Sequence, residues 1–178
     1  MESTDLFPMS DHEKELLAKE DAAYGYRLPE WKWMPGDGMC YACGDANKSG
    51  LHLHFFEIPK GCLSFFTPSH EHQSYDDRMH GGLISTLLDE VTGNYLFFTE
   101  KRPAYTGKME IRFRSPVDIG ETVKIEGREV KRKGPLVVME GKIFHEDGSV
   151  AAECTSHMMV ELSEKGSLPW QKLKLLKR

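Results

Sequence analysis

Basic charge is in short supply in this sequence: 23 lysines and arginines against 28 aspartates and glutamates leave a net charge of −5. A protein built to grip a polyphosphate backbone needs a basic surplus over a wide surface, so nucleic acid is excluded as the expected partner. An uninterrupted apolar run is also missing. The longest candidate, Leu83 to Phe98, is broken by Ser85, Thr86, Asp89, Glu90 and Asn94, which excludes a bilayer span there. The opening MESTDLFPMSDHEKELL has neither the basic start nor the apolar stretch of a secretory signal, and a cytoplasmic location is expected. Cysteine is scarce: Cys40, Cys43, Cys62 and Cys154 could form two bridges, but in that compartment they are expected to stay reduced.

What is present suits one soluble domain with short extensions. At 178 residues, 39% hydrophobic and 29% charged, the chain can bury a core without covalent or metal support. No internal repeat occurs. Residues 10 to 24 begin with a capping box, Ser10 with Glu13, and predict a short amphipathic helix. The segment LPEWKWMPGDGMCYACGDANKSG is dense in turn formers and reads as irregular chain pinned by aromatics.

From Leu51 the pattern turns to strands. Leu51 to Phe56 and Cys62 to Thr67 flank a hairpin turn at Pro59-Lys60-Gly61. One long helix is predicted from Gly81 to Phe98, between Gly-Gly and Lys101-Arg102-Pro103. Period-two alternation then returns: Met109, Ile111 and Phe113, followed by Val123 and Ile125, then Val137, Met139 and Ile143, then Val150 to Met158. The breaks at Ser115-Pro116 with Asp118 and Gly120, at Lys133-Gly134-Pro135 and at Asp147-Gly148 are spaced as hairpins of an antiparallel meander. Two strands, one long helix and four strands give an α+β fold in which a sheet curls around a single helix.

On a helical wheel, Leu83, Ile84, Leu87, Leu88, Val91 and Tyr95 face the core while Asp89 lies nearly opposite, among Ser85, Thr86 and Gly93. Small neighbours let a ligand or a second element approach that carboxylate. Glu90 falls beside the core sector and reads as an edge or pairing residue. At the helix start, His80-Gly81-Gly82 offers backbone amides at the positive end of the dipole, a place that can stabilise the oxyanion of an attacked carbonyl. A carboxylate near that carbonyl attacks it or activates water, and both roles stand. Nine residues at about 1.5 Å rise separate His80 from Asp89 by roughly 13 Å. They cannot serve one carbonyl together, so joint action requires a second copy with its helix antiparallel about a twofold axis.

The stretches HGGLISTLLDEVTG, YTGKMEIRFRSPVDIGETV and EDGSVAAECTSHMMV resemble PaaI-like hotdog thioesterases, over about residues 40 to 161. The resemblance implies a hotdog fold with about six antiparallel strands around one central helix, assembled as a dimer or a dimer of dimers. It implies hydrolysis of an acyl-CoA without metal or cofactor beyond the substrate's own CoA. Carried over residue by residue, it makes Gly81 the oxyanion donor, His80 its orienting neighbour with Gly82 in the same turn, and Asp89 the base or nucleophile. Thr106 positions water, and Gln73 or Ser74, with Gln73 the better placed, takes the position of an Asn or Gln that assists some members.

The organisation expected is an extension over 1–38, a hotdog domain over 39–162 and a basic tail over 163–178 that packs as a terminal helix. Arg112, Arg114, Lys131, Arg132 and Lys133 are candidates for the CoA phosphates, against a reading as a solvated rim. Cys40 and Cys43 with His52 and His54 could supply four zinc ligands, but their spacing matches no standard finger and a packed knuckle is expected instead. Two competing functions remain: a non-catalytic acyl-CoA binding module, and a hotdog hydratase or dehydratase, for which His80 is poorly placed to pair with Asp89.

Overall fold

Local signals set the element boundaries. Ser10 Oγ accepts the Glu13 amide while the Glu13 carboxylate accepts the Ser10 amide, so the expected capping box starts helix α1, Asp11–Tyr24. In the computed structural model, which describes residues 7–31 and 38–162, the order continues β1 (Glu30–Trp31), β2 (Phe55–Ile58), β3 (Gly61–Phe66), α2 (Gly81–Glu100), β4 (Ala104–Phe113), β5 (Val123–Lys133), β6 (Leu136–Phe144) and β7 (Val150–Val160). The basic tail and part of the segment around Trp33 lie outside the described residues. Among those described, no helix is long and apolar enough to cross a membrane.

The strands form one antiparallel sheet in the order β1-β2-β3-β5-β6-β7-β4. The expected six strands are joined by the two-residue β1 at one edge. Three of the predicted turns are as read, with Lys60 at φ 57 closing β2–β3, Gly134 at φ 57 closing β5–β6 and Gly148 at φ 83 closing β6–β7. The meander fails at one connection. β4 pairs only with β7, so residues 114–122 are not a hairpin but a crossing beneath the start of α2. That crossing is pinned by the loop before the helix: the Met79 amide donates to Val117 O, and the Ile119 and Gly120 amides donate to Asp77 O and Pro68 O.

The first strand also begins later than the alternation suggested. Leu51 and Leu53 are buried as expected, but their amides donate to Tyr41 O and Ala42 O rather than to a strand, and His52 sits at φ 52. The segment is therefore bound to the Cys40 loop, and the ladder starts at Phe55.

Helix α2 contacts every strand from β2 to β7. Ile84, Leu87, Leu88 and Val91 are buried against the sheet, with Leu83 and Tyr95 partly buried beside them, as the wheel predicted. It runs two residues past the expected end, to Glu100, and is capped by Lys101 at φ 54, whose amide donates to Phe97 O at 3.0 Å. Its close seating depends on two glycines paired across β5 and β6, Gly127 and Gly141. A Cβ on Gly127 would lie 2.6 Å from Val91 O, and one on Gly141 would lie 2.8 Å from Cys154 Sγ and 3.3 Å from Leu88 Cδ2. On the opposite face, α1 lays Leu16, Leu17 and Tyr24 over Phe56, Ile58, Leu63 and Phe65, which is why β3 is buried throughout. Lys124 Nζ to Glu20 at 2.6 Å ties the same helix to β5.

Gly127→Ala should therefore destabilise the protein by about 3 kcal/mol, the upper range for overpacking against rigid backbone. Urea unfolding measures it, and a loss below about 0.5 kcal/mol, the size of an ordinary surface change, would contradict this seating.

Candidate functional site

The middle of α2, the start of β4 and the loop carrying Cys40 enclose a cavity of about 290 Å³. Asp89, Glu90, Gly93, Asn94 and Phe97 come from the helix, Pro103, Ala104 and Thr106 from β4 and its approach, and Met158 from β7. Cys40 and Cys43 close the remaining side.

Thr106 reaches this cavity because of an irregularity in β4. The pairing with β7 shifts register between Thr106 and Lys108, leaving Gly107 as an extra residue. Met109 and Ile111 pack on the helix side, so in a regular strand Thr106 would point to the outer face; the bulge turns it inward. Its hydroxyl then donates to Asp89 Oδ1 at 2.6 Å.

Glu90, next on the helix, faces the same space in a different setting. Its carboxylate accepts Asn94 Nδ2 at 2.8 Å and lies 3.8 Å from Cys43 Sγ. Burial, reinforced by the negative charges of Cys40 and Asp89 and opposed by the Asn94 hydrogen bond, pushes its carboxyl up to about 7. Cys40 and Cys43 sulfurs are 3.3 Å apart. The hydrogen bond from Cys43 pulls the Cys40 thiol down to about 5, against the opposing effect of burial. That same bond, together with burial and the Glu90 charge, holds the Cys43 thiol protonated. The edge role read for Glu90 is thus incomplete: it is a buried acid of the cavity, beside a cysteine pair whose chemistry the sequence left open.

The other predicted residues gather at the far end of α2. His80 is the N-cap, with Nδ1 accepting the Gly82 amide at 2.8 Å, so Gly82 is already satisfied. The Gly81 amide has no acceptor among the described residues. A Cβ on Gly81 would lie 3.7 Å from the Phe113 ring, placing the end of β4 beside the helix start. Gln73 bridges Met79 and Ser74 donates to Arg78 O, which sets both in the loop entering that turn. The structure thus brings Asp89 to Thr106, and Gln73 and Ser74 to His80-Gly81-Gly82, without joining the two groups.

The basic candidates divide the same way. Arg112 pairs with Glu153 of β7 at the Gly81 end, and Arg114 is ion-paired to that same glutamate. Arg132 aligns through Val137 and Met158 with Thr106 at the opposite end, with Lys131 and Lys133 beside it. Its guanidinium is already held by Glu100 at 2.6 Å and Glu129 at 2.7 Å. The four-ligand zinc set is not assembled: His52 stacks on Phe7, and His54 hydrogen-bonds Glu30 and Phe7 O.

Both ends of this arrangement fall in one stretch of known kind. Residues 77–152 match the thioesterase superfamily. No curated protein matches the chain. Solved structures carry the same hotdog fold: a thioesterase superfamily protein is 18% identical with a TM-score of 0.65, over 87% of this chain and 82% of that one. The protein smu.793 of Streptococcus mutans UA159, bound to acetyl CoA, is 23% identical over 64% of this chain and 91% of that one, with a TM-score of 0.57. A hypothetical thioesterase protein of Streptococcus pneumoniae TIGR4, with coenzyme A, is 19% identical over 61% and 85%, with a TM-score of 0.56. The thioesterase-superfamily match contains His80 through Asp89 and Thr106 but not Cys40 and Cys43.

The raised Glu90 carboxyl fixes a pH dependence. Its folded-state value of about 7 lies above the unfolded value of 4.5, so the native state holds the proton between them and stability falls as pH rises through that window. In metal-free protein, Glu90→Gln should match the native chain near pH 5 and exceed it at pH 8 by on the order of 2–3 kcal/mol. Urea unfolding at both pH values checks this; an equal difference at each would contradict it.

Proposed function

We propose that this protein is a PaaI-like acyl-CoA thioesterase working as a dimer in the cytoplasm. The observation that carries the reading is the Thr106 hydroxyl held on the Asp89 carboxylate at 2.6 Å, on the wall of a cavity. Asp89 takes a proton from water, or attacks directly, at a thioester carbonyl; Thr106 fixes the carboxylate and the water beside it. The carbonyl oxygen, as it gains charge, is received by the Gly81 amide of the partner protomer, and CoA leaves as the thiol. Gln73 and Ser74 line the approach to that amide.

The rise of α2 supports the shared site, because roughly 13 Å of helix lies between the two groups of one chain. Strand β4 supports it as well: it is a sheet edge, it carries Thr106 near one end, and its other end places Phe113, 54% exposed, beside Gly81. Two such edges set antiparallel bring Gly81 of each chain to Asp89 of the other. A row of exposed apolar residues on the outer face, Tyr105, Met159 and Leu136, suits a dimer of dimers. The solved structures holding coenzyme A or acetyl CoA support an acyl-CoA ligand, with Arg112 and Arg114, or Lys131 and Lys133, near its phosphates.

Two variants test the two ends. Asp89→Asn should lower kcat for release of CoA by about 10²–10⁴-fold across a panel of acyl-CoAs; full activity would remove the mechanism, and binding without turnover of any thioester by the native protein would favour the binding module. Gly81→Pro deletes the amide donor where helices accept proline, after a His80 already extended at φ −66 and ψ 130. It should leave the melting temperature unchanged while kcat falls about 10²–10³-fold. Light scattering should give a dimer or tetramer, and an active monomer would contradict the shared site.

A further inference from the structure

The cysteine pair and Glu90 have no part in the thioester chemistry, yet they line the same cavity as Asp89. One sulfur from each cysteine and one carboxylate oxygen of Glu90 all lie within 4.8 Å of one another. Zinc bonds sulfur at about 2.3 Å and carboxylate oxygen at about 2.0–2.2 Å. Two thiolates on one tetrahedral zinc stand about 3.8 Å apart, so the observed 3.3 Å between sulfurs needs only a small opening of the turn. The 3.8 Å from Cys43 Sγ to Glu90 already suits a shared ion.

Three further features point to a cation. The turn that brings the sulfurs together is tightly built: the Gly44 amide donates to Cys40 O at 3.0 Å, and a Cβ there would lie 2.1 Å from Gly38 O. Asn94 Nδ2 donates to Glu90 Oε2, the oxygen that approaches Cys43, and so fixes the carboxylate as outer-shell partners fix metal ligands. Finally, Cys40, Cys43, Glu90 and Asp89 form one anion-capable group, and none has an ion pair with a basic side chain among the described residues. A buried carboxyl with anionic neighbours either keeps its proton or is joined by a positive charge.

We propose that Cys40, Cys43 and Glu90 bind a zinc ion, with the fourth position open to the cavity. The set is two soft thiolates and a carboxylate, a choice that favours zinc over magnesium or calcium. Binding displaces the thiol protons, and any proton on Glu90, to solvent. Water or an atom of the cavity's occupant fills the open position. The site departs from the metal-free chemistry that the family resemblance implies, and it does not rest on the thioesterase reading.

The test is spectroscopic and independent of activity. Full-length protein, reduced and freed of metal by chelator, is titrated anaerobically with Co²⁺ alone. The expected result is a saturable thiolate-to-cobalt charge-transfer band with the visible bands of four-coordinate cobalt, at a single equivalent per chain and displaced by Zn²⁺. Cys40→Ser and Cys43→Ser, with native circular dichroism, should each weaken the band and the affinity. Asn94→Ala, which leaves all three ligands in place, should keep the band and weaken affinity by about 10–100-fold. No band in the reduced native protein overturns the proposal, as does a band unchanged in the serine variants.

Discussion

Because Gly127 carries no side chain, the backbone of α2 at Val91 lies directly against β5, while Gly141 on β6 leaves room for the Leu88 and Thr92 side chains, and the helix cannot roll without meeting one or the other. That contact fixes which helix residues face which neighbours. Leu87, Leu88 and Val91 are pressed onto the sheet, and the neighbouring sector is forced toward the gap between β4 and the Cys40 loop. The cavity is what remains where the helix stands over the sheet edge, and its polar lining follows from the angle at which the glycines hold α2.

Asp89 and Glu90 illustrate how finely that angle matters. They are adjacent carboxylates separated by about 100° around the helix. One meets a threonine hydroxyl near the open edge; the other meets two sulfurs and an amide under cover. Burial separates their roles, much as paired acids elsewhere are separated by environment rather than by type. The cavity thus holds two carboxylates in two settings within one helical step.

The helix, its core face and the strand alternation were legible because each depends on local periodicity and short-range caps. The connection from β4 to β5 was not, since Ser115-Pro116 and Gly120 have the composition of a hairpin, and only pairing to the loop before α2 reveals a crossing. The distance between the start of α2 and Asp89 could be read from helix rise alone. The place of Glu90 could not: the wheel put it correctly beside the core, but what covers it is a loop some fifty residues earlier, whose path no period encodes. The sequence offered one partial signal, Cys40 and Cys43 three apart in a turn, but nothing in it linked that turn to Glu90. The reorientation of Thr106 also had a signal, a glycine inside a strand pattern at Gly107.

That extra glycine makes the chemistry depend on counting. Thr106 faces Asp89 because β4 holds one residue more than β7 at this point, so the bulge acts as a phase setting. Substitutions along β4 change surfaces and packing but leave the phase alone. Gly107 is the exception: a replacement there that favours a regular ladder at unchanged length would slide residues 104–106 one step along β7 and swing the hydroxyl outward with every polar group still present, whereas deleting Gly107 leaves Thr106 two places from Met109 and on the helix side. In a lineage carrying this fold, the hydroxyl can therefore be parted from the carboxylate by loss of the bulge alone, which an inventory of retained side chains would overlook.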